Sequence, residues 1–157
     1  MRRTAILLAA AAMILLLAGC GAAETEPSVP ADPISENREE ITMKMWIGDT
    51  EVAVEWEDND ASAALQELAG ADGLEIAMER YGGWEQVGPI GQTLPRQDEQ
   101  MTAQPGDIML YSGDQLVVFY GSNSWAYTRL GHITDKTPEE MRTLLSNGDV
   151  TITLSVQ

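Results

Sequence analysis

The 157-residue sequence has little that supports metal, disulfide or nucleic-acid chemistry. It holds one Cys and one His, so it forms no internal disulfide and offers no ligand set for zinc. It has 9 Lys and Arg residues against 25 Asp and Glu residues, for a net charge of −16. Nucleic acid is a poor partner for such a chain, because binding phosphates needs clustered basic side chains. Neither a phosphate-binding Gly-x-Gly-x-x-Gly motif nor a Gly-x-Ser-x-Gly elbow is present, and we expect no metal and no cofactor.

One long apolar run is present, at the start of the chain. Residues 4–18 are uncharged and follow Arg2 and Arg3. This run is shorter than the roughly 20 residues that a membrane-spanning helix needs, and its flanks are typical of an export signal. It ends in LAGC at residues 17–20, which resembles the lipobox of bacterial lipoproteins. The resemblance implies cleavage after residue 19 and a diacylglycerol on Cys20. An ordinary secretory signal with a chance Cys is the alternative.

A Pro-rich, acidic stretch follows the predicted signal peptide of residues 1–19. Residues 20–40 contain three prolines and few large apolar side chains. Such a stretch buries too little to fold, and we predict a flexible tether. Together, these features predict a protein held on the extracytoplasmic face of the cell membrane by a lipid anchor. Residues 41–157 remain as one folded domain.

From residue 41 onward, apolar side chains alternate mostly with a period of two. This alternation predicts strands over residues 41–47, 52–56, 74–78, 108–111, 116–120, 125–130 and 150–156. Helical spacing and capping residues predict two short helices, one between residues 58 and 70 and one beginning with a capping box at Thr137 and Glu140. Residues 84–105 have no clean period and are predicted to be a long connection. The pattern favours a mainly β fold, a barrel with helices covering its ends.

Aromatic side chains are concentrated in the middle of the chain. Seven of the nine lie within residues 81–127, with three arginines in or beside this tract. Trp125, Tyr127 and Arg129 alternate along one predicted strand, which predicts an aromatic and cationic strip outside the barrel if the opposite face lies in the core. Such a strip suits a peptide or another flat apolar ligand, with Arg as a directional donor. The alternative is that these aromatics form the core.

The candidate ligand-binding residues come from this tract. They are Arg80, Tyr81, Trp84, Glu85, Arg96, Tyr111, Tyr120, Asn123, Trp125, Tyr127 and Arg129. His132 is the one histidine, and a surface or packing role suits it better than catalysis. No catalytic residue is assigned.

Several separated segments occur in a recognisable order. They are YGGWE at 81–85, GQTLPR at 91–96, PGDIMLY at 105–111, VFYGSNSW at 118–125, YTRLG at 127–131 and DVTITL at 149–154. This series resembles a family of bacterial cyclophilin-like domains, over roughly residues 41–157. The resemblance implies a closed β-barrel of about eight strands capped by two short helices.

The resemblance implies a fold more firmly than an activity. True cyclophilins place a catalytic Arg shortly before a Phe-Met-x-Gln strand, and this chain lacks that arrangement. We therefore expect a lipid-anchored module that binds a peptide, a small molecule or a protein, rather than an enzyme. One alternative is a divergent prolyl isomerase for exported proteins, with Arg80, Arg96 or Arg129 as the electrophilic group. Another, suggested by relatives fused to flavodoxin, is an accessory to a flavodoxin-type redox partner.

Overall fold

The structure, a computed structural model, describes residues 42–157. The predicted signal peptide, Cys20 and the tether lie outside the described residues and stay predictions. Within residues 42–157, no helix combines the length and the apolar character needed to cross a membrane.

The described chain forms ten strands and two helices. In order they are β1 (Met43–Ile47), β2 (Thr50–Val52), β3 (Val54–Trp56), α1 (Asp60–Ala69), β4 (Leu74–Tyr81), β5 (Glu85–Pro89), β6 (Glu99–Ala103), β7 (Asp107–Tyr111), β8 (Gln115–Phe119), β9 (Asn123–Ile133), α2 (Pro138–Leu145) and β10 (Val150–Val156).

The strands pair antiparallel in the order β2-β1-β10-β4-β5-β8-β7-β9-β3. β2 and β3 are two parts of one segment, interrupted at Ala53, and they pair with β1 and β9 respectively. At the interruption, Ala53 N donates to Asp135 Oδ1 over 3.0 Å, and Ala53 O accepts from Thr134 N over 2.8 Å. This segment therefore joins the two edges of the sheet. With β2 and β3 counted together and β6 set apart, the barrel has eight strands, which confirms the predicted fold.

The main core fills the barrel and takes side chains from both helices. Leu65 of α1 and Met141 and Leu145 of α2 are fully buried in it. α1 leads into β4, whose first residue, Leu74, pairs with Leu154 near the end of β10. α2 leads into the start of β10. The helices thus pack into the core from opposite ends of β10.

Both helix starts are capped by side chains, and the cap of α2 is the predicted capping box. Asn59 Oδ1 accepts from Ser62 N over 2.9 Å at the start of α1. At the start of α2, Thr137 and Glu140 form the capping box. Hydrogen bonds from the Thr137 backbone and side chain lower the pKa of the Glu140 carboxyl.

A second, smaller apolar cluster lies on the other face of β7 and β8. Ile108 and Val118 point into the barrel core, whereas alternate residues on the same strands point away from it. We call this second set the outer cluster: Ala103, Met109, Val117, Phe119 and Tyr127. Ala103 and Tyr127 come from β6 and β9, which pair with each other from Glu99 to Ala103. β7 and β8 are therefore buried on both faces.

The prediction of a long connection over residues 84–105 is wrong in part, because β5 and β6 lie within it. In β5, Glu85 and Gln86 are polar but buried, so the apolar alternation that marks a strand is absent. β6 is mostly exposed and, among the described strands, pairs with β9 alone. Apolar and polar residues do not alternate clearly along such an edge strand.

The first and last strands are neighbours, and the two ends of the described chain meet. Thr42 N donates to Gln157 O over 3.4 Å, and Gln157 N donates to Thr42 O over 3.3 Å. β4 begins at this end of the sheet, because Leu74 pairs with Leu154. It ends at Tyr81, about 23 Å further along at the usual rise of a strand.

Candidate functional site

Seven of the predicted site residues line one groove on the outside of the barrel. They are Tyr81, Trp84, Glu85, Tyr111, Asn123, Trp125 and Tyr127, and they are joined by Val87, Gln115 and Val117. We call this the outer groove, and its volume is about 520 Å³. The sequence pattern did not indicate the last three residues.

The outer groove follows from strand geometry. Side chains two residues apart on a strand share a face, so Glu85 and Val87 of β5 lie beside Gln115 and Val117 of β8. Their face points away from the main core. The start of β9 and the ends of β4 and β7 supply the aromatic side chains around it.

Trp84 is packed against two glycines. A Cβ at Gly82 would lie 2.3 Å from Trp84 Cζ2, and one at Gly121 would lie 2.6 Å from Trp84 Cβ, so neither position has room for a side chain. Gly82 also has a φ of +60°, which favours glycine. Trp84 O accepts from the backbone N of Tyr120 and Gly121, both over 2.9 Å. The indole is therefore held in place, yet its buried Nε1 makes no hydrogen bond of good geometry.

Glu85 lies at the floor of the outer groove and is 5% exposed. Its Oε2 is buried without a hydrogen-bond partner of good geometry. Burial raises the pKa of Glu85 from 4.5 to about 7, and the neighbouring Asn123 amide and Trp84 indole partly offset that rise. Burial, followed by the charge of Glu85, also raises the pKa of the Tyr127 phenol.

The Tyr127 ring connects the groove to the outer cluster. It packs edge-on against Tyr111 and Phe119, with ring centroids 6.1 Å and 5.6 Å away. Its hydroxyl oxygen accepts from Asn123 Nδ2 over 3.1 Å. The prediction that Tyr127 lies on an exposed strip is therefore wrong, because its ring is buried against Phe119 and the rest of the outer cluster.

Three large apolar side chains are exposed among the described residues, and all three line the outer groove. Tyr81 is 66% exposed, Trp125 is 56% exposed and Tyr111 is 39% exposed. They come from three strands that are separated in the chain. The fold thus gathers its exposed aromatic surface at one place.

The three candidate arginines lie outside the outer groove. Arg80 Nη1 donates to Ser146 O over 3.2 Å, and its Nε lies 3.8 Å from Asp149. Arg96 and Arg129 line a separate polar cavity of about 310 Å³. Among the described residues, no Lys, Arg or His lines the outer groove, so the expected Arg donor is missing there.

Arg129 instead belongs to a small polar cluster on β7 and β9. Its Nη1 donates to Asp107 Oδ1 over 2.7 Å, and His132 Nδ1 lies 2.8 Å from the same oxygen. Asp107 is buried, so the two side chains orient around a fixed acceptor. Tyr120, another candidate, is buried in the main core and does not line the outer groove. Within residues 42–157, no group of His, Cys, Asp and Glu side chains could hold a metal ion.

The geometry of the outer groove suits binding. Its rigid aromatic walls can cover a flat apolar group, and its floor presents one buried carboxyl.

Comparison with known proteins agrees with this fold. The chain matches the Cyclophilin-like family over residues 45–155, which is more than half of its length and most of the described domain. No curated protein and no solved structure matches it. The chain therefore belongs to the cyclophilin-like family.

Proposed function

We propose that this protein is a ligand-binding module, held by a lipid on Cys20 at the extracytoplasmic face of the cell membrane, whose outer groove binds a peptide or a small molecule. The observation that carries the proposal is the position of Tyr81, Tyr111 and Trp125. These exposed aromatic side chains surround one groove. Exposed apolar surface that is gathered in one patch is typical of a binding site.

The size and rigidity of the outer groove support this proposal. Ligand sites commonly have volumes of roughly 300 to 1,000 Å³, and this groove has about 520 Å³. Trp84 and Tyr127 are fixed by packing, so little freedom is lost when a ligand binds. Aromatic side chains also contribute a large share of binding energy where they contact a partner.

A divergent prolyl isomerase is the second candidate function. It would need a cationic donor beside the bound amide, and Arg80, Arg96 and Arg129 all lie outside the outer groove. An accessory role beside a flavodoxin-type partner rests on the resemblance alone. The binding module is therefore the function that the geometry supports best.

The test is an NMR titration of the purified full-length protein with tetrapeptides, with and without proline. We expect shifts at the Trp84 and Trp125 indole N–H signals. Trp125→Ala should weaken binding roughly tenfold, as loss of a central aromatic contact does. Trp46→Ala is the matched control, because Trp46 lies on β1 outside the groove.

Equal effects of the two Trp variants, or shifts confined to residues outside the outer groove, would contradict the proposal. Exchange peaks between cis and trans peptide would instead favour the isomerase. Uncatalysed exchange takes tens of seconds or longer, so exchange peaks on the second scale require catalysis.

A further inference from the structure

Glu85 is a buried acid without a basic partner. The ion pairs within residues 42–157 do not include it, and its Oε2 has no hydrogen-bond partner of good geometry. A buried carboxylate is normally paired or neutralised, because leaving its charge unpaired away from water is costly. The fold therefore holds an acceptor whose ionised form lacks a counter-charge.

The surroundings of Glu85 supply no positive charge. In the sheet, Glu85 pairs with Tyr81 of β4 and Phe119 of β8. The outer groove around it also contains Tyr111 of β7 and Asn123 and Tyr127 of β9. The ionisable groups among these are tyrosines. A net charge of −16 also favours cations near the surface of this protein. A counter-charge for Glu85 would therefore come from a ligand.

The walls of the outer groove suit a cation as well. A cation within about 6 Å of an indole or phenol ring is attracted to the face of that ring. Trp84, Trp125 and Tyr111 place three such rings around the same groove as Glu85. A neutral ligand would bring no counter-charge to the carboxylate, and an anionic ligand would be repelled by it.

We propose that the ligand of the outer groove is an organic cation, a protonated or quaternary amine whose charge pairs with Glu85 and whose apolar part packs against the aromatic walls. This inference rests on the proposed function, because it names the chemistry of the ligand that this groove binds. The amine is either a free small molecule or the side chain of a Lys-containing peptide.

The test compares charged and neutral probes by NMR titration of the full-length protein. The probes are 2-phenylethylammonium against 2-phenylethanol, and an Ala-Lys-Ala peptide with blocked ends against its norleucine counterpart. At pH 8 we expect each amine to bind roughly tenfold more tightly than its neutral match. Tighter binding of 2-phenylethylammonium would indicate a free small-molecule amine, and tighter binding of the Ala-Lys-Ala peptide would indicate a Lys-containing peptide.

Glu85→Gln should remove this preference, whereas Glu79→Gln should keep it. Glu79 is the matched control, because it lies on the adjacent strand, is exposed, and loses the same charge. With the pKa of Glu85 at about 7, its ionised fraction falls about tenfold between pH 8 and pH 6, and the amine affinity should fall with it. This pH dependence should be absent in Glu85→Gln, and circular dichroism checks that each variant is folded.

Two results would overturn the inference. Equal affinity for the charged and neutral probes, with Trp125→Ala weakening both, would leave the proposed function standing and refute the organic cation. Equal loss of the preference in Glu79→Gln and Glu85→Gln would assign it to overall charge rather than to the groove. An absence of shifts at Trp84 and Trp125 with every probe would overturn both the inference and the proposed function.

Discussion

Glu85 and Gln86 are neighbours on β5 whose side chains point to opposite faces of the sheet. Glu85 lies in the outer groove with one oxygen that makes no hydrogen bond of good geometry. Gln86 points into the barrel and donates from Nε2 to Leu145 O and Gly148 O, each over 2.7 Å. Both side chains are buried. A sequence pattern assigns such a pair to a connection, since polar residues are mostly exposed, and this is why β5 was not predicted.

The stability of this protein should depend on the ionisation of Glu85. Its pKa rises from 4.5 in the unfolded chain to about 7 in the fold, so the folded protein binds this proton more tightly and loses stability as the pH rises from about 5 to 8. Glu85→Gln should remove this loss. We expect the variant to exceed the native protein by about 3 kcal/mol in free energy of unfolding at pH 8, with the difference shrinking towards pH 5.

Urea denaturation at the two pH values measures this effect. Glu79→Gln is the matched control, because it removes the same charge from an exposed position on the adjacent strand. A Glu85→Gln variant that is less stable than the native protein at pH 8 would show that the buried, ionised carboxylate does not destabilise the fold.

The sequence could not show which candidate residues form the outer groove, because that depends on contacts between residues far apart in the chain. Tyr81, Trp84 and Trp125 could be proposed from the sequence, because seven of the nine aromatic residues are concentrated within residues 81–127. Whether an arginine such as Arg129 joins them depends on the acid it meets, here Asp107. Val117 was beyond prediction as a groove residue, because β8 is apolar on both faces and the pattern does not say which face is the main core.

At the scale of elements, strands rich in apolar residues were predictable whether one face or both are buried, and strands that are polar or mostly exposed were not. β1, β4 and β10 alternate cleanly, and α2 shows its capping box in the sequence. Most residues of β6 are exposed, and the first two buried residues of β5 are the polar Glu85 and Gln86. The end of α2 depends on β5, because Gln86 binds the carbonyl oxygens of Leu145 and Gly148.

Loss of the Gln86 amide should therefore loosen α2. Gln86→Met keeps the length of the side chain but leaves two carbonyl oxygens without this donor, and we expect a cost of about 1 to 3 kcal/mol in the free energy of unfolding. Gln100→Met on exposed β6 is the matched control and should change stability by less than about 0.5 kcal/mol. Urea denaturation gives the stabilities, and hydrogen exchange should be faster at the amides of the last turn of α2. Unchanged exchange there would refute the link between β5 and α2.

At the scale of the whole molecule, the barrel is closed by the single segment that carries β2 and β3, and both helices complete its core. The sequence predicted this architecture because its residues alternate over most strands. The outer cluster was not predicted, since it needs β6 and β9 to fold over an outer face of the barrel. The outer groove exists because this second layer is present.

Attachment to the membrane is a property of the whole chain that Cys20 should control. Cys20→Ser removes the thiol that would carry the lipid, and the protein should then leave the membrane fraction, as measured by fractionation and mass spectrometry of the mature protein. A membrane fraction that retains Cys20→Ser as fully as the native chain would contradict the lipid anchor. Ligand binding by the purified variant should be unchanged, because every residue assigned to the outer groove belongs to residues 42–157.

Because Thr42 and Gln157 are hydrogen-bonded neighbours, the domain begins and ends at the same place on its surface. A chain that enters at Thr42 and continues past Gln157 resumes within one strand spacing of where it left off, so inserting the domain into a surface loop of a host protein would hardly separate the host's flanking segments. Tyr81 stands at the opposite end of β4, away from this junction. The end of the outer groove at Tyr81 would therefore project outward from whatever the domain is joined to.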